Sequence, residues 1–111
     1  MKKFMALYLS PVSAAQQMSQ ATPEQMQKGM AEWMKWKDKA GSAIVDLGSP
    51  LGNGKHIESG KTSAGKLAIT GYSIVQAEST AHAEQLFQHH PNLFMQGAAI
   101  ELLEYMPMPG M

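Results

Sequence analysis

The spacing of apolar residues changes period within residues 22–51, and the rest of the chain is read around that change. At roughly 100° per residue, Met26, Gly29, Met30, Trp33, Met34, Trp36 and Ala40 fall on one arc. Gln27, Lys28, Ala31, Glu32, Lys35, Asp38 and Lys39 fall on the other. This spacing predicts an amphipathic helix from Pro23 to Ala40. Thr22 suits its N-cap, with Gln25 three residues on to complete a capping box, and Pro23 suits the first helical position. Gly41 suits the left-handed stop, and Lys35, Lys37 and Lys39 complement the negative end of the helix dipole. Lys37 projects into the apolar arc and is expected to snorkel past the helix end. The tryptophans and methionines of the arc read as a packed core face rather than as an aromatic ligand box.

Elsewhere the period is two. Phe4–Leu9 predicts a first strand, and residues 10–21, small, polar and broken by Pro11, a connecting loop. Ser42–Leu47 predicts a second strand. Residues 48–65 carry scattered glycines without phosphate-loop spacing and predict a long hairpin connection, with residues 52–65 the most mobile internal segment. Lys66–Gln76 predicts a third strand, with Gly71 as a bulge or close-approach point. Ser79 caps a second helix running to His90, where Pro91 ends it, and Ala83, Leu86, Phe87 and His90 form its apolar face. Gly97–Met106 predicts a fourth strand, followed by a frayed tail. The fold class expected is α+β: a ferredoxin-like βαββαβ domain over residues 1–111, with a four-stranded antiparallel sheet and both helices on one face.

Alternation divides each strand between two faces. Met5, Leu7, Leu9, Ala43, Val45, Leu47, Leu67, Ile69, Gly71, Val75, Ile100 and Leu102 form the aliphatic or small set, expected beneath the helices. Phe4, Ala6, Tyr8, Ile44, Asp46, Thr70, Tyr72, Ile74, Glu101, Leu103 and Tyr105 form a mixed set. That set is too apolar to face water and too polar for a dry core. Two such faces pressed together predict a homodimer with a partly polar cavity between its sheets.

Composition removes several alternatives. The chain has 111 residues, enough for one domain that buries about two thirds of its unfolded surface. Nine basic residues, all lysine, balance nine acidic ones, and no arginine is present to read phosphates or bases. Nucleic acid is therefore not an expected partner. Cysteine is absent, which excludes disulfides and thiol catalysis. The ten methionines read as adaptable core filler. The N-terminal lysines and apolar run imitate a signal peptide, but Phe4–Leu9 is shorter than the usual apolar region and reads better as a strand. No segment approaches the ~20 apolar residues of a membrane span, so no membrane partner and a cytoplasmic location are expected.

The pieces KKFMALYLSP, WMKWKDKAGSAIVDLGSPLG, GYSIVQAESTAHAEQL and HHPNLFMQGAAIELLEYMPM, in that order, resemble the YCII-related family of the dimeric α+β barrel superfamily. The resemblance implies a ferredoxin-like fold paired into a barrel. Some members are proposed to use a His–Asp pair. Asp46 matches the aspartate, while residues 10–21 contain no histidine where those members place one. Superfamily relatives include isomerases, lyases and cofactor-free monooxygenases acting on small aromatic or cyclic compounds.

Asp46 is the candidate catalytic group, a general base in the dimer cavity; the competing reading has its carboxylate bonding backbone N–H groups at the 48–51 turn. Tyr8, Tyr72 and Glu101 are the candidate substrate-binding residues; the competing reading is interface packing for the tyrosines and a wet rim for Glu101. His90, on an apolar helix face, reads as a core or surface-edge histidine, and neighbouring His89 points about 100° away on a regular helix. With no clustered ligands, no metal site and no cofactor are expected. The resulting expectation is a small-molecule protein, either a cofactor-free enzyme of isomerase, lyase or hydrolase type or a non-catalytic ligand-binding or regulatory dimerisation module.

Overall fold

The computed structural model describes residues 1–65 and 67–110. In chain order it contains β1 (Lys2–Leu9), α1 (Ala14–Gln20), α2 (Pro23–Ala40), β2 (Ile44–Pro50), β3 (Lys55–Glu58), β4 (Lys61–Ala64), β5 (Ile69–Ala77), α3 (Thr80–Leu86) and β6 (Ala99–Glu104). Short 3-10 turns at Gly41–Ala43 and Pro91–Phe94 lead into β2 and follow α3. The four longer strands form one antiparallel sheet in the order β2-β5-β1-β6, and β3 pairs with β4 in a separate hairpin. The molecule is a slab of 47 × 45 × 20 Å. Its radius of gyration of 15.5 Å exceeds the roughly 13 Å of a compact chain of this length.

α2 starts and stops where its sequence signals are. Thr22 accepts from the Gln25 backbone N–H at 3.1 Å, and Gln25 returns the bond to the Thr22 N–H at 2.9 Å. Gly41 ends the helix at a φ of +56°. Only the second half of α2 packs on the sheet. Trp36 is 6% exposed, and its indole N–H donates to the Leu86 carbonyl at 2.7 Å, tying α2 to the end of α3. Residues 23–31 are exposed throughout, and Lys37 is exposed as well.

Several local expectations are corrected. Residues 10–21 contain α1, which opens on its own capping box between Ser13 and Gln16. The 48–65 connection holds the β3–β4 hairpin, turned at Gly60 with a φ of +80°. β2 begins after the 3-10 turn, at Ile44, and runs on to Pro50. The third strand was expected from Lys66, which lies outside the described residues, as does Met111 in the tail; β5 runs from Ile69. α3 ends at Leu86, not His90. His90 is extended at φ −63° and ψ 141°, as the following proline requires of the residue before it.

The larger correction concerns β1. Its buried residues are Phe4, Ala6 and Tyr8, while Met5, Leu7 and Leu9 are half-buried on the face without helices. Phe4 lies opposite Val75, Ala6 opposite Ser73, and Tyr8 opposite Gly71, so one face carries large rings beside small partners. Trp33, Trp36 and Phe87 fill the space those small residues leave. Both faces of β1 are apolar, so alternation alone was neutral between them. The helices cover the face whose tyrosine hydroxyl finds a bond: Tyr8 donates to Ser73 at 2.6 Å, and Ser73 donates to the Leu47 carbonyl at 2.6 Å.

β2 also departs from simple alternation. Its register against β5 shifts between Ile44 and Asp46 and again between Asp46 and Ser49. These bulges turn Ile44 and Leu47 toward the core and leave Val45 46% exposed. Gly48 makes the second bulge possible. Its φ is +89°, and a side-chain carbon there would collide with the Tyr72 carbonyl.

Candidate functional site

The bulge at Gly48 and the register of β5 bring Asp46 and Tyr72 together. Asp46 lies opposite Ile74, on the face without helices. Its carboxylate accepts the Gly48 N–H at 2.8 Å and the Tyr72 hydroxyl at 3.1 Å. The first bond is the turn contact of the structural reading. The second raises the Tyr72 phenol above its ordinary pKa, and the negative charge of Asp46 adds to the shift. Tyr72 is thus a neutral phenol whose proton is engaged.

Glu101 projects from the same face but is not joined to this pair. It lies opposite Leu7, which lies opposite Tyr72. Two strand spacings therefore separate Glu101 from Tyr72, roughly 10 Å. Tyr8 is on the other face altogether, 2% exposed beneath α2. Burial raises its phenol pKa, and the bond to Ser73 opposes the rise. The four candidates are therefore divided: Asp46 and Tyr72 in contact, Glu101 apart, Tyr8 across the sheet.

Tyr8 instead belongs to an aromatic cluster around His90. The His90 ring stacks on Tyr8 at 4.7 Å and meets Trp33 edge-on at 4.5 Å and Trp36 at 4.6 Å. His90 is fully buried. Its Nδ1 accepts the Asn92 N–H at 3.0 Å, which leaves the proton on Nε2. Nε2 has no hydrogen-bond partner among the described residues. Burial pushes the imidazole pKa down to about 4, so His90 is neutral at neutral pH.

Beside this cluster a cavity of about 450 Å³ opens between α1, α2 and the β2–β5 side of the sheet. Met18, Met30, Trp33, Met34, Leu47 and Pro50 supply its apolar walls. Tyr8, Gln17, Ser49, Thr70 and Asn92 supply its polar groups; Tyr72 borders it from β5, with its hydroxyl across the sheet on Asp46. Met18 is 52% exposed, Met30 59% and Met34 38%, so flexible thioether side chains border its mouth. No charged side chain is among its described lining residues. Its size and its mainly apolar lining with a few polar groups are those of small-molecule sites.

This cavity is on the helix side of the sheet, whereas the sequence pointed to the opposite face. Gln17, Met18 and Asn92 escaped attention because α1 and the Pro91–Phe94 turn have little apolar periodicity. The Met26, Met30, Met34 repeat was visible, but a core stripe and a half-covered wall share that spacing. Trp33 serves both, packing on Tyr8 at 5.2 Å and lining the cavity.

Among the described residues, no helix is long and apolar enough to cross a membrane. No protein-family model matches the chain, and no curated protein matches it. Among solved structures the chain is similar to 5-chloro-2-hydroxyhydroquinone dehydrochlorinase from Burkholderia phenoliruptrix AC1100, in complex with 2,5-dihydroxybenzoquinone, at 15% identity. The TM-score is 0.49, and the similarity covers 91% of each chain. At that identity no residue role transfers from one protein to the other.

Proposed function

We propose that this chain binds a small apolar molecule in the cavity beneath α2. The observation that carries the reading is the cavity itself: about 450 Å³, walled by Trp33 and four methionines, with polar groups from α1, the sheet and the Asn92 turn. Non-catalytic binding is favoured over catalysis because no carboxylate, imidazole or amine is among the described lining residues. Asp46 lies on the opposite face of the sheet and is already bonded to Gly48 and Tyr72. Cofactor-free catalysis with Asp46 as base is the second reading, supported by the Tyr72–Asp46 bond on the uncovered sheet face.

The strand order β2-β5-β1-β6 supports a ferredoxin-like arrangement in which the uncovered sheet face pairs with a second copy. Met5, Leu7, Leu9 and Ile74 lie half-buried on that face, with Leu103 50% and Tyr105 45% exposed. Phe4 and Ile44, first expected there, belong to the covered side. A dimer of this kind would bury an apolar surface that the single slab leaves open.

Thermal denaturation against a set of small uncharged apolar compounds tests the binding reading. Compounds that occupy the cavity raise the melting temperature of the wild type. They have no such effect on Met30→Trp, which fills the space from an exposed wall. A set in which no compound stabilises the wild type, or in which Met30→Trp responds equally, overturns the reading.

A further inference from the structure

We propose that the cavity selects an uncharged molecule that donates hydrogen bonds, and that it turns carboxylates away. This rests on the reading of the cavity as a small-molecule site, and it follows from where the lining protons already are.

Tyr8 gives its hydroxyl proton to Ser73 at 2.6 Å. Gln17 Nε2 donates to the Val12 carbonyl at 2.7 Å and to Ser10 Oγ at 3.4 Å. Ser49 Oγ donates to the Pro50 carbonyl at 3.0 Å, and Thr70 Oγ1 to the Tyr8 carbonyl at 3.4 Å. The Tyr72 hydroxyl is engaged by Asp46 on the opposite face of the sheet. Asn92 Nδ2 donates to the Ala99 carbonyl at 3.0 Å, which fixes the amide orientation. The backbone N–H groups of Gly48 and Asn92 are likewise committed, to Asp46 and His90.

These bonds leave oxygens. Hydroxyl and amide oxygens retain acceptor capacity after their protons are spent. The side-chain donors still open among the described lining residues are the Trp33 indole N–H and the second Asn92 amide hydrogen, and both are neutral. A carboxylate entering this space would lose its hydration and meet neither a cation nor a cluster of donors. A hydroxyl or amine N–H on a flat apolar frame meets the opposite situation: free acceptors, with the Trp33 and methionine surfaces beside them.

The probes are β-naphthol, its methyl ether and β-naphthoate at neutral pH. They share a ring system and differ in donating, lacking a donor, and carrying a negative charge. Binding is followed by the indole N–H signals of isotope-labelled protein. Trp33 lines the cavity, while the Trp36 N–H is bonded to Leu86 and serves as the internal reference. The expected result is a Trp33 shift with β-naphthol, affinity for the ether lower by about tenfold, the scale of one hydrogen bond, and affinity for the naphthoate at least about a hundredfold lower. Ser49→Lys, which places a cation at an exposed wall position, is expected to admit the naphthoate. Equal affinity for all three probes, or a Ser49→Lys variant that still rejects the naphthoate, overturns the selectivity proposal and leaves the cavity a binding site. If no probe moves the Trp33 signal, the binding reading itself falls.

Discussion

Asp46 and His90 are the residues whose chemistry the fold changes most visibly. Asp46 holds the β2 bulge through Gly48 and the Tyr72 proton through its other oxygen. In Asp46→Asn the charge disappears and the acceptor weakens. Tyr72 is then expected to titrate closer to the ordinary tyrosine value of about 10, while Tyr8 remains raised by burial. Ultraviolet titration of the variant checks this, and an unchanged Tyr72 transition would remove Asp46 as the cause. His90 predicts a pH dependence. Its imidazole is pushed down to about 4 in the folded state from an ordinary 6.5, so between those values the unfolded chain holds a proton that the folded one does not. The contribution of neutral His90 to stability is complete above pH 6.5 and is lost as the pH falls toward 4. Urea unfolding across that window should show a steeper decline for wild type than for His90→Gln. Parallel curves would mean that the ring titrates alike in both states.

At the scale of elements, the bulged edge strand β2 and the half-covered helix α2 decide where a site is possible. The two register shifts in β2 place Leu47 and Gly48 beside the cavity and Asp46 on the opposite side of the sheet. Gly48→Ala is expected to destabilise the protein by about 1–3 kcal/mol from the positive φ alone, with the collision against the Tyr72 carbonyl adding to that. Denaturant midpoints measure the loss, and a variant as stable as wild type would show that the bulge is not held in this form. Sequence made α2 legible because its signals are local: a cap, a proline, a period and a glycine stop. Those same signals said nothing about how much of the helix the sheet would cover. Met26 and Met30 obey the period of the apolar arc and are 47% and 59% exposed, because the sheet does not extend beneath that half of the helix.

For the whole molecule, the 20 Å thickness leaves room for one sheet and one layer of helices. One sheet face is therefore uncovered within a single chain. The expected outcome of light scattering at micromolar concentration is the mass of a dimer, with Leu7→Glu shifting it toward the monomer at unchanged helical content. A wild-type monomer mass would sink the pairing.

How far the sequence could be read follows from the range of the forces involved. Helix caps, strand periods, the lack of arginine and cysteine, and the chain order of the main strands depend on residues near one another or on simple counts, and the amino-acid sequence states them directly. The face of β1 did not follow from such signals, because Phe4-Ala6-Tyr8 and Met5-Leu7-Leu9 are both apolar. It was resolved by a long-range hydrogen bond from Tyr8 to Ser73, 65 positions away, and by the fit of Trp33 and Trp36 over small residues of β5. The candidate site moved with that choice. Tyr8 left Tyr72 and Asp46 and joined His90, and the cavity formed where α1, α2 and the bulged edge of the sheet fail to close on one another. A gap of that kind depends on how the packed elements meet, and no local pattern of residues encodes it.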